Sequence, residues 1–315
     1  MTTVRRWGLP AWTALAIALV ALSVGLHAEL RAHVFGDGLP FYLGSWGALL
    51  IGGVLIWALA RALGDRRALD AQVVRAFVGH PLRSETVFLL ALLAAFLLSM
   101  VVLTLVFDVF ETEIGADLAM SVSLVCRVLF LFTLPVLILD RSGVTTDGRG
   151  AQMPSIALRV REPWRWSGLL PVVVSLGLMT VLFVPYTGYP PPSIALIGFL
   201  AAFTVISLCE EIFFRAMLQT RLEHFMGRWG GIVSTSVAFA LTYALVQTFD
   251  AVSQLPGDDL VHDIGLAMLT YSAAGLFYGY LWACFRNLWL NVFMRVGVFM
   301  VLVPPDLTFG IVDAL

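Results

Sequence analysis

The chain has 315 residues, 60% of them hydrophobic and only 13% charged, with a mean hydropathy of +0.92. A soluble domain carries about 25% charged residues, so this composition excludes a water-soluble globular protein and predicts an all-α, polytopic membrane bundle. The net charge of −2 is uninformative by itself, and no basic tract marks a nucleic-acid surface.

Arg5-Arg6 precede an apolar run from about Leu9 to Leu26 that has no small-x-small cleavage site, so it reads as an uncleaved first span. Runs of about the 20 residues a bilayer crossing needs follow near 41–60, 87–107, 118–139, 167–185, 193–212, 230–249, 263–284 and 288–303. This makes nine predicted spans. All 19 basic residues are arginine. Sixteen of them fall in the N-terminal tail and the segments after the second, fourth, sixth and eighth spans. The opposite side holds only Arg31, with carboxylates such as Asp108, Glu111, Glu113 and Asp117. The bias of basic residues to the cytoplasmic side therefore predicts the N-terminus inside and the C-terminus outside, the expected setting being a bacterial cytoplasmic membrane.

Two cytoplasmic segments read as interfacial anchors. In 70–85, Val73, Val74, Phe77 and Val78 form an apolar stripe beside Arg75 and Arg83; in 149–166, four arginines are interleaved with Trp164 and Trp166. The triple proline between Tyr186 and Pro192 reads as an external loop. The division expected is a four-span region at 1–140, a cytoplasmic interfacial linker at 141–166 and a five-span bundle at 167–315. Cys126, Cys209 and Cys284 fall inside apolar runs and read as small core residues. No histidine occupies the middle of a span: His33, His80, His224 and His262 fall in loops or near span ends, and His27 closes the first span.

The stretch with chemistry is Cys209-Glu210-Glu211-Ile212-Phe213-Phe214-Arg215, at the end of an apolar run. An ionisable group at membrane depth marks a functional site by default. On a helix, Glu211 and Arg215 are four apart and face each other, whereas Glu210 is rotated away and needs a different partner. Two further cations lie inside spans, Arg127 and Arg295. Arg127 reads equally as snorkelling to an interface or as a competitor with Arg295 for Glu210.

Glu210-Glu211-x-x-x-Arg215 resembles the first signature of the CPBP family, the CAAX-protease and bacteriocin-processing intramembrane endopeptidases. The resemblance covers roughly 165–303. Phe239-Ala240-Leu241-Thr242-Tyr243 stands where the family shows Phe-x-x-x-His, and Gly275 to Leu281 is similar to the glycine-bearing helix before the third motif. Asn287 to Met294 resembles the approach to that motif. The resemblance implies a water deprotonated by the first glutamate, histidines from the second and third motifs that assist, and an Asn or Asp four residues later that helps hold the oxyanion. Amide hydrolysis needs such a base, acid and oxyanion donor together.

This sequence departs from the pattern. Tyr243 and Arg295 occupy the histidine positions, and Phe299 stands four after Arg295. Neither replacement offers an imidazole, and arginine is no base at neutral pH; no metal or cofactor is expected. An unpaired guanidinium at this depth is very costly, so Arg295 is expected to pair with Glu210, with the Tyr243 hydroxyl donating to the same carboxylate. The predicted site is Glu210, Glu211, Arg215, Tyr243 and Arg295. The resulting expectation is a degenerate or weakly active protease-like protein that binds membrane-associated peptides or proteins. The alternatives are an active endopeptidase using Glu210 as general base, and a non-enzymatic scaffold or transporter-like protein.

Overall fold

Apolar runs of this length must satisfy their backbone hydrogen bonds internally once water is removed, and helices do so within one segment. The computed structural model describes residues 2–36, 38–110, 123–141, 153–189, 193–246 and 260–302, and no strand occurs among them. The helices are α1 (Thr2–Leu26), α2 (Ala28–Phe35), α3 (Leu39–Ala62), α4 (Arg66–Ala76) and α5 (Leu82–Phe110). Then come α6 (Ser123–Leu139) and α7 (Met153–Leu158). A 3-10 turn at Pro163–Gly168 leads into α8 (Leu169–Thr187), followed by α9 (Ile194–Glu211). A π-helical segment at Ile212–Gln219 runs into α10 (Thr220–Val246), and α11 (Leu260–Phe285) and α12 (Leu288–Leu302) complete the bundle.

Among the described residues, six helical segments are long and apolar enough to cross a bilayer: Arg6–Leu26, Leu39–Ala62, Leu82–Leu103, Pro163–Tyr186, Leu196–Val246 and Leu260–Phe285. Ser123–Leu139 and Leu288–Leu302 are apolar but shorter. The runs read near 193–212 and 230–249 both fall within Leu196–Val246, which the non-helical Gly227 divides into two helices. Glu111, Glu113, Asp117, the first residues of the 118–139 run and Pro190 to Pro192 lie outside the described residues.

The π-helical segment sits at the centre, with every residue from Ile212 to Gln219 buried. It touches α6, α7, α9, α10, α11 and α12. α10 and α11 pack extensively, α1 lies along both, α3 packs on α8 and α11, and α12 packs on α8 and α9. Gly227 (φ +78°, ψ 170°) breaks α10, an essentially glycine-only conformation that costs other residues about 1–3 kcal/mol. This turn folds the chain so closely that a Cβ on Gly231 would lie 2.6 Å from the Glu223 backbone nitrogen.

Three expectations about the segments read as cytoplasmic change. The 70–85 stripe splits: Val73 and Phe77 are buried in the bundle, while Val74 and Val78 point outward. A helix turns successive residues by about 100°, so the adjacent pairs cannot share one face. Arg165 is no surface anchor. It is buried, and its guanidinium donates to the carbonyls of Phe285 (2.8 Å), Ile156 (2.9 Å) and Arg286. Two of those acceptors end α11, where carbonyls lack helical partners and the dipole favours a cation. Thus Arg165 closes the α11–α12 turn, where Arg286 itself adopts a positive φ of 47°. His224 lies on helical backbone in α10 rather than in a loop.

Candidate active site

Glu210 and Glu211 occupy the last turn of α9, where the backbone changes to i→i+5 bonding. π-helical backbone is rare and concentrates at functional sites; α6, which supplies Arg127, also carries it at Leu129–Thr133. Both carboxylates are buried, with Glu210 only 1% exposed.

Each oxygen of Glu210 meets a guanidinium. Oε1 accepts from Arg127 Nε at 2.9 Å and Oε2 from Arg295 Nη2 at 2.5 Å. The Tyr243 hydroxyl donates to Oε2 at 2.7 Å and accepts from Arg295 Nη2 at 2.5 Å. The expected meeting of Glu210, Tyr243 and Arg295 is therefore the observed geometry. Arg127 joins it rather than snorkelling: it is 2% exposed, and its Nη1 donates to Ser123 Oγ one turn earlier in α6. Two cations share one carboxylate, so Arg127 and Arg295 do not compete.

Glu211 is held differently from the simple pair read from sequence. Its Oε2 accepts from Asn291 Nδ2 at 2.8 Å, and its Oε1 from Arg295 Nη1 at 3.3 Å. Arg215 Nε approaches Oε2 at 3.4 Å, an ion pair without a well-formed hydrogen bond. The π-turn changes the angular step after Glu211 and so moves Arg215 out of ideal register. Arg215 rests instead between ring faces, with Phe239 at 5.3 Å and Tyr278 at 5.9 Å, contacts worth about 2 kcal/mol or more when desolvated. Arg295 lies similarly over Phe239 at 5.2 Å.

The polar contacts continue towards the α11–α12 turn. Arg215 Nη1 donates to Gln219 Oε1 at 3.4 Å. Gln219 Nε2 donates to Glu223 Oε1 at 2.7 Å and to the Gly279 carbonyl at 2.9 Å. Glu223 Oε2 accepts from Arg286 Nη2 at 2.5 Å. The column thus steps by four, through residues 211, 215, 219 and 223. Gly279 fits because a Cβ there would lie 3.0 Å from the Gln219 amide oxygen.

All five predicted site residues are in this cluster. Asn291 and Gln219 were missed, although the signal was present: Asn291 is a polar residue one turn before Arg295 in an apolar helix, and Gln219 continues the spacing of four. Phe299 faces away into an aromatic group, stacked on Phe199 at 5.0 Å and beside Phe203 at 4.7 Å. His262 does not approach the site; it meets His27 edge-on at 5.2 Å beside the α1–α2 junction. The pocket has two carboxylates against the guanidiniums of Arg127, Arg215 and Arg295. A divalent cation does not fit a donor set whose carboxylate oxygens already face an excess of positive charge.

Fold and site together define a multi-pass α-helical membrane protein with a buried, ion-paired carboxylate centre. Residues 191–299, about a third of the chain, match the family model described as type II CAAX prenyl endopeptidase Rce1-like. This region, which contains Glu210, Tyr243 and Arg295, is thus similar to the CAAX-protease family. No curated protein and no solved structure matches the chain.

Proposed function

We propose that this protein is a catalytically degenerate member of its family, which keeps the intramembrane fold to bind membrane-associated peptides or proteins. The single observation that carries this reading is the double occupation of Glu210, with Arg127 on one oxygen and Arg295 on the other. A general base must present a lone pair to a water beside the scissile carbonyl. Here the carboxylate is buried among cations, and Phe299, at the position of the oxyanion donor, lies in an aromatic stack. The ionic cluster then serves to fix α6, α9, α10 and α12 against one another.

The setting we infer is a bacterial cytoplasmic membrane, with nine crossings, the N-terminus inside and the C-terminus outside. The arginine distribution supports that orientation. In this reading residues 1–140 form a docking region, 141–166 an interfacial linker and 167–315 the protease-like bundle. α1 lies directly on α10 and α11, and α3 on α11, within reach of a bound segment.

A second reading is an endopeptidase in which Glu210 is the base and Tyr243 the acid, favoured by their 2.7 Å hydrogen bond. One experiment separates the two. Purified protein in nanodiscs is incubated with a library of membrane peptides, beside Glu210→Gln and beside the triple variant Tyr243→His, Arg295→His, Phe299→Asn. The degenerate reading expects no cleavage by wild type and a gain in the triple variant. Cleavage by wild type that disappears in Glu210→Gln overturns it.

A further inference from the structure

A second charged site lies away from the carboxylate centre, at the corner between α3 and α4. There Trp57, Ala60, Arg61, Gly64, Asp65, Arg66 and Arg67 enclose a cleft of about 340 Å³, at the lower end of ligand-site volumes. Among the described residues the buried arginines are all neutralised: Arg127, Arg215 and Arg295 by Glu210 and Glu211, Arg165 by Glu162, Arg221 by Glu85, and Arg286 by Glu223. The cleft arginines contrast with them. Among the described residues, Arg61, Arg66 and Arg67 make no side-chain hydrogen bond and no ion pair; Arg61 makes only a cation–π contact with Trp57 at 5.9 Å. Asp65, the one carboxylate in the lining, is engaged as the N-cap of α4, accepting from the Ala68 backbone nitrogen at 3.2 Å. The neighbouring acid, Asp70, is held at 2.8 Å by Arg228.

The geometry points to a phosphate-binding site, with the headgroup phosphate of an anionic phospholipid as its occupant. Guanidiniums bind phosphate oxygens in forked pairs, and basic pockets beside membrane helices hold lipid headgroups. Arg66 and Arg67 form the first turn of α4, so backbone N–H groups and the helix dipole add to their charge. Depth favours a lipid over a soluble anion. Trp57 is one turn from the end of a 24-residue apolar span, where indoles sit at headgroup level, and Trp164 borders the same corner beside Gly64. The α3–α4 turn is short because Asp65 caps α4 immediately after Gly64, and this brings Arg61 towards Arg66 and Arg67. A tryptophan to lie along the glycerol and three arginines for the phosphate form a site more specific than dispersed interfacial charge.

The test uses the full-length protein in mixed-lipid nanodiscs, released into the gas phase for native mass spectrometry. One arm supplies phosphatidylglycerol against phosphatidylcholine; the other supplies inorganic phosphate to the detergent-solubilised protein. Variants are Arg61→Gln/Arg66→Gln/Arg67→Gln and, as a charge control at other exposed arginines, Arg159→Gln/Arg161→Gln. Retained phosphatidylglycerol that the cleft variant loses by about tenfold or more, with the control unchanged, is the expected result. Retention of inorganic phosphate with the same variant pattern, but of no lipid, keeps the phosphate site and overturns its lipid occupant. Equal loss in both variants, or no preference over phosphatidylcholine, overturns the site altogether. Circular dichroism of the cleft variant confirms that a loss reflects binding rather than unfolding.

Discussion

α1 and the polar column from Glu210 to Arg286 are both parts of an apolar membrane bundle, yet they are specified by different physics. Only 6% of the α1 span is buried inside the protein, and Ile17 and Leu22 point away from the bundle. Its place depends on length and hydropathy, which many sequences satisfy. In the column, by contrast, each acid or amide accepts from a particular donor on another turn or helix, and apolar surroundings make each unmet partner expensive. Hydrophobicity gets a helix into the bilayer. Polar complementarity decides which helices meet and at what rotation.

The sharpest way to break this contrast is to remove one partner from the column. Arg295→Met strips a cation from both carboxylates, and Glu210→Ala strands two guanidiniums. Each should cost about 3–5 kcal/mol, read as a large fall in the thermal unfolding midpoint in detergent; an unchanged midpoint would refute the structural role of the cluster. Arg165→Ala comes next. It leaves the carbonyls of Phe285, Arg286 and Ile156 without their donor and should cost about 2–3 kcal/mol, detectable as faster proteolysis at the α11–α12 turn. Gly227→Ala tests the backbone break in α10. With no described atom within 4 Å of its Cβ, the cost is conformational alone, about 1–3 kcal/mol, and a neutral result would show that this turn relaxes freely.

The smaller effects sharpen the comparison from the other side. Ile17→Ala on α1 should change the stability by no more than about 0.5 kcal/mol, because lipid tails replace what the side chain touches. Glu162, outside the spans, has its carboxyl held below the usual range, chiefly by the hydrogen bond from Arg165. A depressed carboxyl stabilises the fold above the unfolded value and loses that contribution as the pH falls below 4.5 through the lower folded value. Because Glu162 is 42% exposed, the term is screened to a few tenths of a kcal/mol. Glu162→Gln should thus lower the midpoint slightly at pH 7 and match wild type in acid.

Much of the site was legible because arginine in an apolar helix is so costly that its presence predicts a partner. That reasoning connects Arg295 with Glu210 and Tyr243, and the contacts at 2.5 and 2.7 Å agree. It fails for Arg127, since distance in sequence gives no clue to which carboxylate a helix will face. It fails also for Arg165, where the sequence shows an amphipathic anchor and the fold supplies a helix end to cap. Adjacent valines at 73 and 74 looked like one stripe until the helical rotation separated them.

A multi-helical membrane bundle, a motif that resembles the CAAX-protease signature and the need to neutralise Glu210 and Arg295 were all legible in the sequence, because hydropathy and the cost of burying charge act locally on each run. The packed fold was needed to show that two cations share Glu210, that a π-helical segment sets Arg215 against aromatic faces, and that three arginines around the α3–α4 cleft have no ion-pair partner among the described residues. Those outcomes depend on helix rotation and on which termini meet, and such distances arise only when separate segments pack.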